Sequence, residues 1–320
     1  MFEVRETARR VAEQSRFVRI DRQASAAFAE CMGSLEIVVP PWDAFHHFKG
    51  PEEETIAYLL VLDTLNFCFW PAPGTEIWEI EYGGEWSSGY YALALTLKKA
   101  LESGFPVTDS GYLADLSVDE FRQILSGRGT LQLMDRRLEN LRELGKMLAE
   151  NYQGRAHDLV ASSQGSAAAL ARLLNRSLSS FRDVATYGDE TVYFYKRAQL
   201  FAADLYGAFE GRGWGEFHDL SDLTAFADYK LPQVLRHAGI LEYSKPLAEK
   251  VDQKALLEPG GPEEVEIRSN TIRAVEIIRE ELATRGRNLM AFEIDWLLWS
   301  LGQEDRFREK PYHRTITIFY

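Results

Sequence analysis

At 320 residues, with 46% hydrophobic and 12% aromatic content, the chain carries enough apolar material for one large packed domain or two smaller ones, which excludes a disordered polymer. A net charge of -13 with no run of Lys and Arg argues against a nucleic-acid polymer as partner, so a nucleic-acid-like ligand would be a free nucleotide or nucleoside. Its two cysteines, Cys31 and Cys68, lie in apolar stretches and read as reduced core residues, and no apolar run approaches the roughly 18 residues of a membrane span, so a cytoplasmic protein without membrane association is expected.

Helical spacing of apolar residues predicts helices from Phe2 to Ser15 and from Asp21 to Met32, the second closed by Gly33. Ser34 to Pro40 then reads as a short extended connection. In Trp42 to Phe48, His46 and His47 stand among aromatics; a histidine pair in this setting reads first as packing or surface, and the further ligands a metal would need at helical spacing do not follow. Pro51 to Asn66 starts with three acids and becomes continuously apolar, as expected of a helix entering the core. Near its end Asp63, Thr64 and Asn66 interrupt the apolar run. Such groups need partners or cost about 1–3 kcal/mol each, so they either brace the fold or line a pocket.

Ile77 to Tyr82 alternates apolar and acidic residues before Gly83-Gly84, a strand and turn pattern. Helices are expected over Gly89 to Leu101, over Phe121 to Leu125 behind the capping-box pattern Ser117-Val-Asp-Glu120, and over Leu131 to Asn151. Gly165 to Ser177 and Glu190 to Glu210 read as two more. Within the second, Lys196 and Arg197 fit a solvated face or an anion site equally well.

Asp219 to Arg236 reads as a short helix, a break and a second helix, because Pro232 suits a first turn and biases Leu231 away from helical geometry. Asp228 then sits at a junction between Phe226 and Tyr229. The spacing alone favours an aspartate bonded to local backbone, with a part-desolvated functional acid as the alternative. Pro262 to Leu282 and Met290 to Leu301 are the last expected helices. The latter places Asp295 in so apolar a setting that it needs a partner, either a base such as Arg268 or a ligand. Pro311 to Tyr320 alternates Thr with apolar residues and reads as a strand able to pair with Ile77 to Tyr82. The expectation is a mainly α fold, a single helical domain over residues 1–320 with a small β-sheet.

Four segments together resemble the queuosine salvage proteins, the queuosine 5'-phosphate N-glycosylase family: Leu62-Asp-Thr-Leu-Asn-Phe-Cys-Phe-Trp70, Thr224-Ala-Phe-Ala-Asp-Tyr-Lys-Leu-Pro-Gln233, Val265-Glu-Ile-Arg268 and His313-Arg-Thr315. Tyr195-Lys-Arg-Ala-Gln199 resembles it too. The resemblance implies a fold similar to helix-hairpin-helix DNA glycosylases and release of the base queuine from a small-molecule nucleotide. It implies Asp228 as catalytic carboxylate, Phe226 stacked on the base, Asp295 reading the base with Trp299 nearby, and His46 or His47 contacting it. Many relatives carry an acid where this chain has Ser300. Lys196 or Arg197 would hold the 5'-phosphate, no metal or redox cofactor is required, and no obligate protein partner is inferred. A DNA-repair-type glycosylase and a non-enzymatic helical binding protein are the competing readings.

Overall fold

A computed structural model describes residues 1–34 and 42–320; the extended connection expected after Ser34 lies outside them. Among the described residues the fold is mainly helical, with three separate two-stranded antiparallel sheets. The first half comprises α1 (Phe2–Gln14), β1 (Val18–Ile20), α2 (Arg22–Ser34), α3 (Glu52–Leu65), the hairpin β2 (Glu79–Tyr82) and β3 (Glu85–Ser88), α4 (Gly89–Glu102), α5 (Ser110–Asp115), α6 (Val118–Ile124) and α7 (Met134–Tyr152). The second half runs through α8 (Ala156–Ala161), α9 (Ala167–Ser177), the hairpin β4 (Val184–Tyr187) and β5 (Glu190–Tyr193), α10 (Lys196–Ala208), α11 (Lys230–His237), β6 (Leu241–Tyr243), α12 (Lys245–Asp252), α13 (Pro262–Thr284) and α14 (Ala291–Leu301).

Helix α13 is the axis of the molecule. Pro262 opens it at the first turn, where a missing N–H costs nothing, and Glu263 and Glu264 complement the dipole there. It is buried on two faces: Val265 and Ile272 join an apolar core built on α1, α3, α4, α7, α9 and α10, while Ile267, Val275, Ile278 and Leu282 join a second core built on α2, α11, α12 and α14. Between these apolar rows Glu266 is fully buried, and its carboxylate accepts the backbone N–H groups of Arg16, Phe17 and Val18 and the Tyr187 hydroxyl. Four donors solvate one charge, which is how a buried carboxylate is tolerated.

The expected capping box at Ser117 and Glu120 is present. Two expectations are overturned. The helix expected from Glu190 begins only at Lys196, because the β-branched and aromatic run Thr191-Val-Tyr193 pairs with Val184–Tyr187 across a turn at Gly188, whose φ is +59°. The C-terminal segment is not a strand partner of β2. That strand pairs with β3 through the Gly83-Gly84 turn, and its other side bridges Arg128, so neither edge is open; Arg314 instead bridges Leu256, and the Tyr320 carbonyl accepts the Cys68 N–H at 2.9 Å.

Candidate active site

The segment around Asp228 is less helical than its sequence suggests. A 3-10 turn at Leu220–Asp222 gives way to irregular chain from Leu223 to Tyr229, and α11 begins at Lys230. Asp228 Oδ1 accepts the backbone N–H groups of Lys230 at 2.7 Å and Leu231 at 3.0 Å, closing the start of α11 in the manner of a helix cap. The local-backbone reading therefore holds for one oxygen. Oδ2 makes no hydrogen bond among the described residues, and Asp228 lines a cavity of 430 Å³.

That cavity is walled by both cores and by the chain between α3 and β2. Trp42, Phe226, Tyr229, Trp296, Trp299 and Tyr312 supply aromatic surface, and Lys196, Asp204, Asp228 and Asp295 supply buried polar groups. Its volume and mixed lining suit a planar heterocycle with a polar appendage. Arg137 fixes the wall at 65–68: wholly buried, it donates to the carbonyls of Leu65, Phe67 and Cys68 and stacks 4.2 Å from the Phe67 ring. Cys68 takes φ 49° within that wall, a left-handed conformation that a non-glycine residue keeps only when its surroundings enforce it.

Lys196 interacts electrostatically with four buried carboxylates, Asp63, Asp204, Asp228 and Asp295. Asp295, from α14, accepts the Phe226 backbone N–H on Oδ2 at 2.7 Å, which ties it to the irregular segment two residues before Asp228. Burial, and then the nearby Asp228 charge, push its pKa well above the ordinary carboxylate range. Asp204 lies two turns along α10 from Lys196; burial and then Asp63 raise its pKa strongly, and its Oδ2 has no partner among the described residues. Asp63, entirely buried behind it, is pushed up to about 7 by the loss of solvent, against the pull of Lys196. Burial also raises Asp228, but Lys196 and the two N–H groups of α11 oppose that rise. The same burial lowers the Lys196 pKa, with Asp228 the largest opposing influence.

His47 lines the cavity and His46 does not. The His47 Nδ1 contacts the Asp43 carbonyl at 2.7 Å and therefore carries the proton, leaving Nε2 to accept the Tyr90 hydroxyl at 2.7 Å. Its ring stacks 4.3 Å from Trp42, and burial lowers its pKa to about 4, so it is a neutral imidazole. His46 turns instead to the Asp43 carboxylate.

Phe226, Trp299, Ser300 and Lys196 also line the cavity, so the structure brings together most of the residues singled out in the sequence. Arg197 is a correction. Its guanidinium donates to the carbonyls of Asp63, Thr64 and Ser180 and stacks 4.8 Å from Phe181, away from the cavity lining, which makes it a brace and removes it as a phosphate ligand. Arg268 is likewise not the partner of Asp295: it forms a bidentate pair with Asp183 at 2.8 and 2.7 Å and donates to the Ala227 carbonyl. Sequence reasoning missed Asp204, Lys230 and Arg308. Asp204 carried the same signal as Asp295, an acid in the apolar run Phe201-Ala-Ala-Asp-Leu205.

A family model described as queuosine salvage protein matches residues 46–320. A protein of Sphaerobacter thermophilus named queuosine 5'-phosphate N-glycosylase/hydrolase is 48% identical over 314 residues, 98% of this chain and 96% of that protein. Proteins of the same name from Mus musculus and Schizosaccharomyces pombe are 36% and 30% identical, covering 99% and 95% of this chain and 98% and 92% of their own lengths. The chain belongs to the queuosine salvage protein family.

Proposed function

We propose that this chain hydrolyses the N-glycosidic bond of queuosine 5'-monophosphate and releases queuine. The observation that carries the reading is the meeting of Asp228, Phe226, Asp295 and Lys196 in one aromatic-walled cavity. The whole chain works as a single unit, since both apolar cores contribute to the walls. Its helical architecture we read as akin to that of helix-hairpin-helix DNA glycosylases, on the family resemblance. The net charge of -13 favours a free nucleotide over a polymer as substrate.

Breaking the bond builds positive charge on the ribose anomeric carbon and ring oxygen. Asp228 acts as the ionised carboxylate: Lys196 and two backbone N–H groups favour its charged form, and Oδ2 is the oxygen available to the sugar or to the attacking water. Asp295 takes the opposite role. Kept protonated by burial and by the Asp228 charge, with Oδ2 accepting from Phe226, it presents Oδ1–H as a donor to the base. Queuine is a 7-deazaguanine whose position 7 is carbon, so the leaving group cannot be protonated there, and a neutral acid on its polar edge offsets the charge that develops as the base departs. Two carboxylates held at different protonation states by their surroundings divide the work. Phe226 and Trp299 hold the base by its faces, and His47 orients it from the wall.

The reading is tested by incubating the protein with queuosine 5'-monophosphate and following free queuine by chromatography. A folded preparation that released none would remove it.

A further inference from the structure

A second cavity, of 520 Å³, shares no lining residue with the first. It is bounded by α1, the chain leading into β1, β1 itself, β6 and α13, and five arginines line it, Arg9, Arg16, Arg19, Arg22 and Arg273, against two acids, Glu13 and Glu242. In a chain of net charge -13 this wall carries the opposite sign. Both acids are already engaged, Glu13 by Arg9 at 2.6 Å and Glu242 by Arg19 at 3.0 Å. Arg273 pairs at 3.2 Å with Glu280, which lies outside the cavity lining. Arg16 and Arg22 are exposed and have no ion-pair partner among the described residues.

The backbone that carries Arg16 is held in place. The buried Glu266 of α13 accepts the N–H groups of Arg16, Phe17 and Val18, Asn270 Nδ2 donates to Ser15 Oγ at 2.8 Å, and the Ser244 N–H donates to the Phe17 carbonyl at 2.7 Å. Glu266 is thereby satisfied by backbone and the Tyr187 hydroxyl, without a guanidinium. Ser244 also lines the cavity at the N-terminus of α12, and its buried hydroxyl bonds no described residue, so the positive end of that helix dipole adds to the wall. Like charges on a concave surface focus a positive potential into it.

From this arrangement we infer that the cavity is a second ligand site, which takes a small organic phosphate, with Arg16 and Arg22 on the phosphoryl group and Phe17 and Ile20 against the organic part. A phosphoryl dianion offers three oxygens to donors that arrive from different elements, whereas a carboxylate offers two in one plane. The volume lies within the range of small-molecule sites. No bond is made or broken here, and the site stands whether or not the first cavity hydrolyses its nucleotide.

The test uses phenyl phosphate as probe on the full chain, at pH 8, where a phosphate monoester is a dianion, and at constant ionic strength. Arginines are modified with phenylglyoxal and each is followed by peptide mass spectrometry. Phenyl phosphate should slow modification of Arg16 and Arg22 by about threefold or more and leave Arg136, a half-exposed residue of α7 outside both cavities, unchanged. No protection of Arg16 and Arg22, or equal protection of Arg136, would overturn the site. Calorimetric titration supplies a second readout: Arg16→Ala and Arg22→Ala, both at exposed positions that spare the core, should each weaken phenyl phosphate binding about tenfold, as loss of a charge-assisted contact requires. Isotherms identical to wild type in both variants would place the probe elsewhere and overturn the inference. Succinate, a dianion without a phosphoryl group, should protect the two arginines less than phenyl phosphate does, and equal protection would overturn the phosphate assignment.

Discussion

Asp295 Oδ2 accepts the backbone N–H of Phe226 at 2.7 Å, so the acid of α14 is fastened to the strip of irregular chain that also carries Asp228. One hydrogen bond fixes the distance between the group proposed to read the base and the group proposed to face the sugar. Asp295→Ala breaks it and leaves the buried Phe226 N–H unpaired, at a cost of about 1–3 kcal/mol. Asp295→Asn keeps an acceptor for Phe226 and an N–H donor in place of the acid O–H, so it should hold the melting temperature and most of the base release, both of which fall in Asp295→Ala. Thermal melts and initial rates on the two variants check this, and an Asn variant as unstable as the Ala variant would remove the fastening role.

Activity should fall as the pH drops through the raised pKa of Asp228, because its charged form is the one proposed to act. Lys196 is the largest influence holding that pKa down. Lys196→Met should therefore move the acid limb of the kcat/KM profile to higher pH, as well as lowering its plateau. A profile that dropped without shifting would assign Lys196 a different role.

His47 and His46 should separate cleanly. Already neutral with a pKa of about 4, His47 contributes no titration between pH 5 and 8, and His47→Ala should lower kcat/KM by roughly one to two orders of magnitude across that range without changing the shape of the profile. His46→Ala should stay within about twofold, since His46 does not line the cavity. Steady-state rates on the pair decide the assignment.

Much of the fold was legible in the sequence, where apolar residues recur at helical spacing, as in Phe2–Gln14 and Pro262–Thr284, or follow an acidic first turn, as in Glu52–Leu65. It failed at Thr191-Val-Tyr193, where β-branched and aromatic residues fit a helix face and a hairpin equally until Val184–Tyr187 supplies the partner. The site was legible only in part. Asp295 and Asp63 stand out as acids in apolar runs, and Asp228 owes its position to resemblance rather than to spacing. The fate of Arg197 was not readable, because a basic residue beside Lys196 looks the same whether it meets a phosphate or three carbonyls from other parts of the chain. Lys230 and Arg308 are 78 positions apart, and no local pattern joins them.

Stability should record the cost of the buried acids. Asp63 has an ordinary value of 3.8 in the unfolded chain and about 7 in the fold, so between those pH values the folded protein holds a proton that the unfolded one has lost. Folding stability contributed by this group is therefore highest below pH 4 and declines as the pH rises towards 7. Asp63→Asn removes the decline and should raise stability at pH 8 by about 1–3 kcal/mol relative to wild type. Melting temperatures from pH 5 to 8 check it; a variant less stable at pH 8 would mean that the Asp63 charge is held by Lys196.

The central claim is that an ionised Asp228, capped on one oxygen and open on the other, drives release of queuine. Asp228→Asn tests it most directly, because the amide oxygen can still accept the N–H groups of Lys230 and Leu231 and so spare the helix start. With queuosine 5'-monophosphate, chromatography should show free queuine from the wild type and a rate lowered at least about a thousandfold in Asp228→Asn, with the melting temperature preserved. A variant that kept more than a few per cent of wild-type activity would contradict the account and move the chemistry to another carboxylate of the cavity.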